Sequence, residues 1–132
     1  MKRNEFIKHV QSVAQLGSQD EAERAVRATL ETLAERIVGD EAKDLASQLP
    51  SELGEYLHGR EGENGQSFSL QEFYQRVSQK ERVDPVTAAT HARAVFSVLN
   101  VAVEPGEFAD VVANLSKDYE DLLPVANPTS EA

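Results

Sequence analysis

The sequence carries the same helical pattern twice. Residues 5–57 align with residues 72–123 across a single one-residue gap near Gly17, and eleven of the 52 aligned pairs are identical. Self-similarity over a period of this length is typical of a duplicated structural unit. The identical pairs include Arg27 with Arg93 and Glu41 with Glu107. We therefore expect two related copies of one unit.

Within each copy the apolar residues recur at spacings of three and four, which is the period of an amphipathic α-helix. In the first copy, a helix over about residues 4–15 precedes the longest one, which opens with a capping box at Ser18 and Glu21 and which we expect to end at Gly39. Two short helical pieces follow, and Gly54 weakens the last of them.

The second copy follows the same plan. Ser69 and Glu72 form a capping box at the start of its first helix, and Asp84 before Pro85 starts a long helix that reaches about Val103. No window alternates apolar and polar residues as a strand would. The sequence predicts an all-α helical bundle, built from two pseudo-symmetric copies of a unit with one long helix and several short ones.

The expected organisation is one helical domain over residues 1–123. Its repeats cover about residues 4–58 and 69–123, and a polar, glycine-rich segment over residues 59–68 is expected to be a flexible loop. The end of the chain, residues 124–132, is expected to be disordered. A single copy of this size buries only about 60% of its unfolded surface, so the two copies should share one core.

Several local sequences occur in both copies. They are a Glu-Phe helix start and a long helix rich in Ala. The first copy adds arginines to that helix, a Gly-Asp-Glu-Ala turn at residues 39–42, and Gln-Leu-Pro at 48–50 followed by Tyr56 and Leu57, and the second copy keeps this plan with other residues at several places. This pattern resembles a bacterial family of duplicated helical proteins, domain of unknown function 2267, from about Glu5 to Leu123. The resemblance implies an all-helical cytoplasmic bundle and supplies no activity or cofactor. The second copy departs from it at the turn over residues 104–106 and at Ser116, which stands in place of Pro50.

The charge balance argues against two classes of partner. The chain has 23 Asp and Glu against 13 Lys and Arg, a formal net charge of -10. Nucleic acids and anionic membranes are bound through Lys and Arg, and neither half of the chain is basic, so neither partner is expected. The sequence contains no cysteine and does not begin like a secretory signal, and we expect a cytoplasmic protein.

The sequence offers no catalytic constellation. His9, His58 and His91 are the only histidines, and none lies in a spacing typical of a nucleophile or a zinc site. A carboxylate-bridged metal bundle requires Glu-x-x-His pairs, which are missing. We therefore predict no enzymatic activity, no cofactor and no metal site.

Two structural ion pairs are predicted from the repeat. Arg27 with Glu41, and Arg93 with Glu107, occupy equivalent positions in the two copies. A guanidinium on the long helix can reach a carboxylate beyond the following turn and bind it with two hydrogen bonds.

The second long helix is apolar around more of its circumference than the first. The first has Thr29, Thr32, Glu35 and Arg36 on its second face, whereas the second helix has Val95, Val98, Val101 and Ala102. A helix that is apolar nearly all round is buried or contacts another molecule. This face is therefore either core or an interface, and the sequence leaves both open.

These observations favour a non-enzymatic module for protein–protein interaction or self-association. The expected partner is an unidentified protein or a second copy of the chain. The alternative is a small-ligand carrier or an enzyme with a pocket between the two repeats, lined by Tyr56, Tyr74, Tyr119 and a histidine.

Overall fold

The computed structural model describes residues 1–124 and confirms the all-α prediction. No strand occurs among these residues, and residues 125–132, the greater part of the expected disordered tail, lie outside them. No helix in the described range is both long enough and apolar enough to span a membrane. The α-helices are α1 (Arg3–Ala14), α2 (Gln19–Arg36), α3 (Gly39–Ala46), α4 (Ser51–Gly54), α5 (Leu70–Glu81), α6 (Pro85–Ala102) and α7 (Pro105–Ala113), with 3₁₀ helices at Glu55–Leu57 and Lys117–Leu122.

Local capping fixes where three of the main helices begin. The backbone N–H of Glu21 donates to the Ser18 hydroxyl over 3.2 Å, and that of Glu72 donates to the Ser69 hydroxyl over 3.2 Å. The Asp84 carboxylate caps α6 in the same way, accepting from the backbone of Thr87 at 2.8 Å. Each cap satisfies a backbone donor that the helix itself leaves free.

The core is built from both halves of the chain. The two long helices, α2 and α6, contact each other; α1 packs on both of them, and so does α5. Phe73 on α5 lies edge-on to Phe96 on α6, with ring centroids 6.3 Å apart, and both rings are fully buried. The first helix of each half therefore buries its apolar face against the long helices of both halves.

Reciprocal hydrogen bonds join the short helices that follow α2 and α6. The backbone N–H of Val38 donates to the Asn114 side chain at 3.1 Å, and that of Glu104 donates to the Gln48 side chain at 2.8 Å. Val38 and Glu104 are matched positions of the repeat, as are Gln48 and Asn114. These contacts place α3 against α7.

Gly39 has a different role from the one predicted. The long helix α2 ends at Arg36, Ile37 is extended, and Gly39 begins α3. A Cβ atom at Gly39 would lie 1.6 Å from the backbone oxygen of Arg60. Glycine is needed here because two backbone segments approach closely, and not because it terminates the helix.

The segment over residues 59–68 is held against the end of α2. The backbone N–H of Gly39 donates to the carbonyl of Glu63 and that of Gln66 donates to the carbonyl of Glu35, both at 2.9 Å. Phe68 at the end of the segment is buried in the core. These contacts anchor the segment at several points, while most of its side chains remain exposed. Its flexibility stays a prediction from the glycine-rich composition.

Candidate functional site

The predicted ion pairs do not form. The Arg27 guanidinium binds Glu31, one turn away on the same helix, at 3.2 Å. Arg93 binds Asp121 in the last 3₁₀ helix at 3.0 Å. Each arginine therefore pairs with an acidic residue of its own half. Glu31 takes the place predicted for Glu41, and Asp121 takes the place predicted for Glu107.

Glu41 and Glu107 instead face each other. Glu41 lies in the first turn of α3 and Glu107 in the first turn of α7, and the packing of these two helices brings their carboxylates together. One oxygen of each, Oε2, is buried without a hydrogen-bond partner among the described protein atoms. Two carboxylates in such a position cannot both carry a full charge at low cost.

The pair is suited to sharing a proton. The pKa of Glu107 is raised from 4.5 to about 8, first by burial, then by the hydrogen bond with Glu41, and then by the negative charges of Glu41, Asp44 and Asp110. Near neutral pH, Glu107 therefore keeps its proton and donates it to the Glu41 carboxylate. This arrangement is the carboxyl–carboxylate pair seen where like charges are forced together.

The same cluster is the set of residues with metal-ligand geometry in the described part of the chain. Glu41, Glu107 and Asp110 each offer one oxygen, and these oxygens lie within 4.8 Å of one another. Hard cations such as Mg²⁺ and Ca²⁺ prefer carboxylate oxygens of this kind. The sequence prediction of no metal site did not anticipate this cluster, because Glu41 and Glu107 are 66 positions apart in the chain.

The residues predicted as an interface on α6 are divided between the core and the surface. Val95 is fully buried and Val98 is 4% exposed, so both are core residues and not an interface. Ala102 is partly buried, and only Val101 is exposed, at 74%. The matched Thr29 and Thr32 of α2 are also fully buried, so the same two positions of each long helix pack inside the bundle.

The predicted pocket between the repeats takes a different form. Tyr119 is buried and donates its hydroxyl to the Phe68 carbonyl at 2.8 Å, while Tyr74 donates to Asp121 at 2.9 Å. Tyr56 and His58 line an open concavity of about 490 Å³ between α2 and α5, together with charged side chains. Of the residues predicted to line the pocket, Tyr56 and His58 therefore share a concavity, and the rest of its lining is largely charged; this concavity is part of a polar groove between α2 and α5.

The repeated motifs suggested a family to which the chain is related, and a family match covers nearly all of the chain. The family described as an uncharacterized conserved protein (DUF2267) matches residues 3–122. The chain belongs to the DUF2267 family. A comparison with curated proteins gave no match.

Arg36 is the polar residue of this DUF2267 protein that the sequence prediction missed. It is buried at the end of α2, and its guanidinium donates to the carbonyls of Phe68 at 3.0 Å and Asn114 at 3.1 Å. It also donates to the hydroxyls of Tyr119 and Ser116, each at 3.2 Å. Arg36 thus joins the first half to the loop and to the last helix. The sequence placed Arg36 on the second face of α2, and its position next to Ile37 of the inner stripe was the one sign of burial.

A buried acid–base pair lies between α5 and α6 of the DUF2267 protein. His91 Nδ1 contacts the Glu81 carboxylate, and both residues are almost completely buried. The other Glu81 oxygen has no hydrogen-bond partner among the described protein atoms. The matched positions in the first half are Ala14 and Ala25, so this pair is not repeated.

Proposed function

We propose that this DUF2267 protein is a non-enzymatic helical module that associates with a second copy of itself through the exposed face of α6. The observation that supports this proposal is the near absence of charge on that face in a strongly acidic protein. We also propose that the protein is bacterial and cytoplasmic, and that its two halves arose by duplication of one unit.

The α6 face consists of six side chains that lie within about 100° of one another around the helix axis. Val86 and Val101 at its two ends are 78% and 74% exposed. Its one charged side chain, Arg93, is paired with Asp121. The members are Val86, Thr90, Arg93, Ser97, Asn100 and Val101.

The corresponding face of α2 is charged. Asp20 stands where α6 has Val86, Arg24 stands where it has Thr90, and Glu35 stands where it has Val101. Two helices that occupy matched places in the repeat therefore present opposite kinds of surface. Duplication of one unit would give both helices the same kind of surface. The low charge of the α6 face therefore calls for a separate explanation, and a contact with another molecule supplies one.

The α6 face suits a second copy because it carries little charge of its own. Two molecules of net charge -10 repel each other, and burying an exposed charge costs more than burying a valine. The α6 face is where two copies can approach with little desolvation of charge. Val13, on the neighbouring helix α1, is 54% exposed and is matched in the repeat to Lys80, which instead makes an ion pair with Glu35.

The size of the face sets the expected strength. An 18-residue helix is about 27 Å long, and one helix face buries less area than the roughly 800 Å² per partner of a standard interface. We therefore expect a weak dimer whose population rises with protein concentration.

The histidines support a non-enzymatic role. His91 is buried against Glu81, and His58 lies beside Glu61 at 3.3 Å on the surface. Within residues 1–124, neither ring is hydrogen-bonded to a hydroxyl group of the kind that serves as a nucleophile.

Sedimentation equilibrium of the full chain, over a wide range of concentrations, tests the proposal. We expect the wild-type protein to form dimers and the double variant Val86→Glu, Val101→Glu to remain monomeric with an unchanged circular dichroism spectrum. Val38→Glu is the matched control, because Val38 is also exposed, at 40%, but lies outside the α6 face. A wild-type protein that stays monomeric throughout, or a double variant that associates equally well, would refute the proposal.

A further inference from the structure

We propose that the groove between α2 and α5 is a binding site for a small oxyanion with two or more negative charges, of the phosphate-ester or polycarboxylate class. This site is separate from the α6 face and is independent of self-association.

The centre of the groove is a concavity of about 300 Å³ with an excess of positive charge. Three of its lining side chains are cationic and one is anionic. Its floor is Ala28, which is 2% exposed, so a ligand meets a closed surface there. The lining residues are Arg24, Arg27, Ala28 and Glu31 from α2 and Lys80 from α5.

Two of the three cations are held in place by neighbouring side chains. The Arg27 guanidinium lies 5.6 Å from the centre of the Tyr56 ring and binds Glu31. The Lys80 ammonium donates to the Thr32 hydroxyl at 3.1 Å and binds Glu35 at 3.0 Å. Side chains that are already ordered lose less entropy when they bind a ligand.

Arg24 supplies the unused binding capacity. It is exposed and has no acidic side chain within 4.0 Å in the part of the chain that the structure describes. A guanidinium with free donors binds two oxygens of a phosphate or carboxylate in a fork geometry. Arg24 therefore completes a three-cation site whose other two members are partly neutralised.

The groove extends beyond its central concavity. Two further concavities share Arg27 with the central one. The first, of about 250 Å³, has two acidic and two arginine side chains in its lining. The second, of about 490 Å³, has three glutamates against three Lys and Arg side chains, together with His58. Neither extension adds an excess of Lys and Arg over acidic side chains, so the proposed binding site is limited to the central concavity.

The second half of the chain does not repeat the site. The positions matched to Arg24, Glu31 and Lys80 are Thr90, Ser97 and Val13. Solvation of a helix surface does not require three cationic side chains from two helices around one concavity. The second half of the chain folds with Thr90 and Val13 at two of the three matched positions.

Nuclear magnetic resonance titration of the ¹⁵N-labelled full chain tests the site, with sodium phosphate and sodium citrate as separate probes at constant ionic strength. We expect saturable shifts confined to α2, the end of α5 and the residues around Tyr56. Arg24→Gln should bind about tenfold more weakly, because it removes a charge-assisted contact. Lys43→Gln, which removes an exposed lysine on α3, should bind like the wild type.

Binding of one probe and not the other supports the site and assigns its class. Shifts that spread over the whole surface, or an Arg24→Gln variant that binds both probes as tightly as the wild type, would overturn the proposal. Lys80→Gln gives a second measurement from α5 and should also weaken binding. An unchanged affinity in both variants would likewise overturn the proposal.

Discussion

Glu41 and Glu107, which the sequence alignment of the two halves matches, place their carboxylates against each other where α3 packs on α7. Each buries one oxygen without a partner other than the facing acid. The reciprocal hydrogen bonds from Val38 to Asn114 and from Glu104 to Gln48 hold the two helices in this position. An acid pair at the junction of the two halves links their docking to protonation.

The stability of the protein should fall as the pH rises above neutral. The pKa of Glu107 is about 8 in the folded protein against 4.5 as its ordinary value, so between these pH values the folded state holds a proton that the unfolded chain has released. The contribution of the pair to stability is complete below about pH 4.5 and is lost as the pH rises through 8. Urea denaturation between pH 5 and pH 9 should therefore show a fall in the free energy of unfolding toward alkaline pH.

Glu107→Gln isolates this contribution. The amide can donate to Glu41 without titrating, so the variant should lose part of the alkaline decline and become more stable than the wild type above pH 8. Glu120→Gln removes an exposed carboxylate and is the matched control. A pH profile of Glu107→Gln that parallels that of the wild type would show that the two carboxylates do not share a proton.

Arg36→Met should be strongly destabilising. The change leaves the carbonyl of Asn114 without the donor that Arg36 supplies and removes one of the two donors to the carbonyl of Phe68, which keeps the Tyr119 hydroxyl. We expect a cost of about 3 kcal/mol in the free energy of unfolding. Arg27→Met is the control, because its exposed pair with Glu31 contributes at most about 1 kcal/mol. Urea denaturation measures the free energy of unfolding of both variants. Equal losses of stability would show that the buried hydrogen bonds of Arg36 contribute no more than the exposed ion pair of Arg27.

The Glu81–His91 pair should show strong coupling in a double-mutant cycle. Glu81→Leu and His91→Leu each leave a buried polar partner alone and should each cost about 3 kcal/mol. The double variant should cost less than the sum, with a coupling energy above about 1 kcal/mol. Additive losses would show that the two side chains are stabilised by other groups.

Neither half of the chain should fold alone. The apolar face of α1 is covered by both α2 and α6, and that of α5 by the same two helices, so each half exposes core when separated. Thermal denaturation of fragments 1–64 and 65–124 should show no cooperative transition, whereas an equimolar mixture should recover one. A cooperative transition of the fragment 1–64 by itself would identify the halves as independent domains.

The sequence alone determined the helices and most of their boundaries. Capping by Ser18, Ser69 and Asp84 and the three-to-four spacing of apolar residues are interactions between positions at most four apart, and they act before any tertiary contact exists. The family resemblance also came from the repeated local sequences, and the family match over residues 3–122 bears it out.

The partner of each polar side chain was decided only by the tertiary structure. Glu41 meets Glu107 and Arg36 meets Asn114 because helices far apart in the chain pack at a particular angle and depth, and no residue spacing encodes that geometry. The same packing buries Val95 and Val98 and leaves Val101 exposed. Helical periodicity states which residues share a face, whereas the neighbours packed around a helix determine which of its faces remain in contact with water.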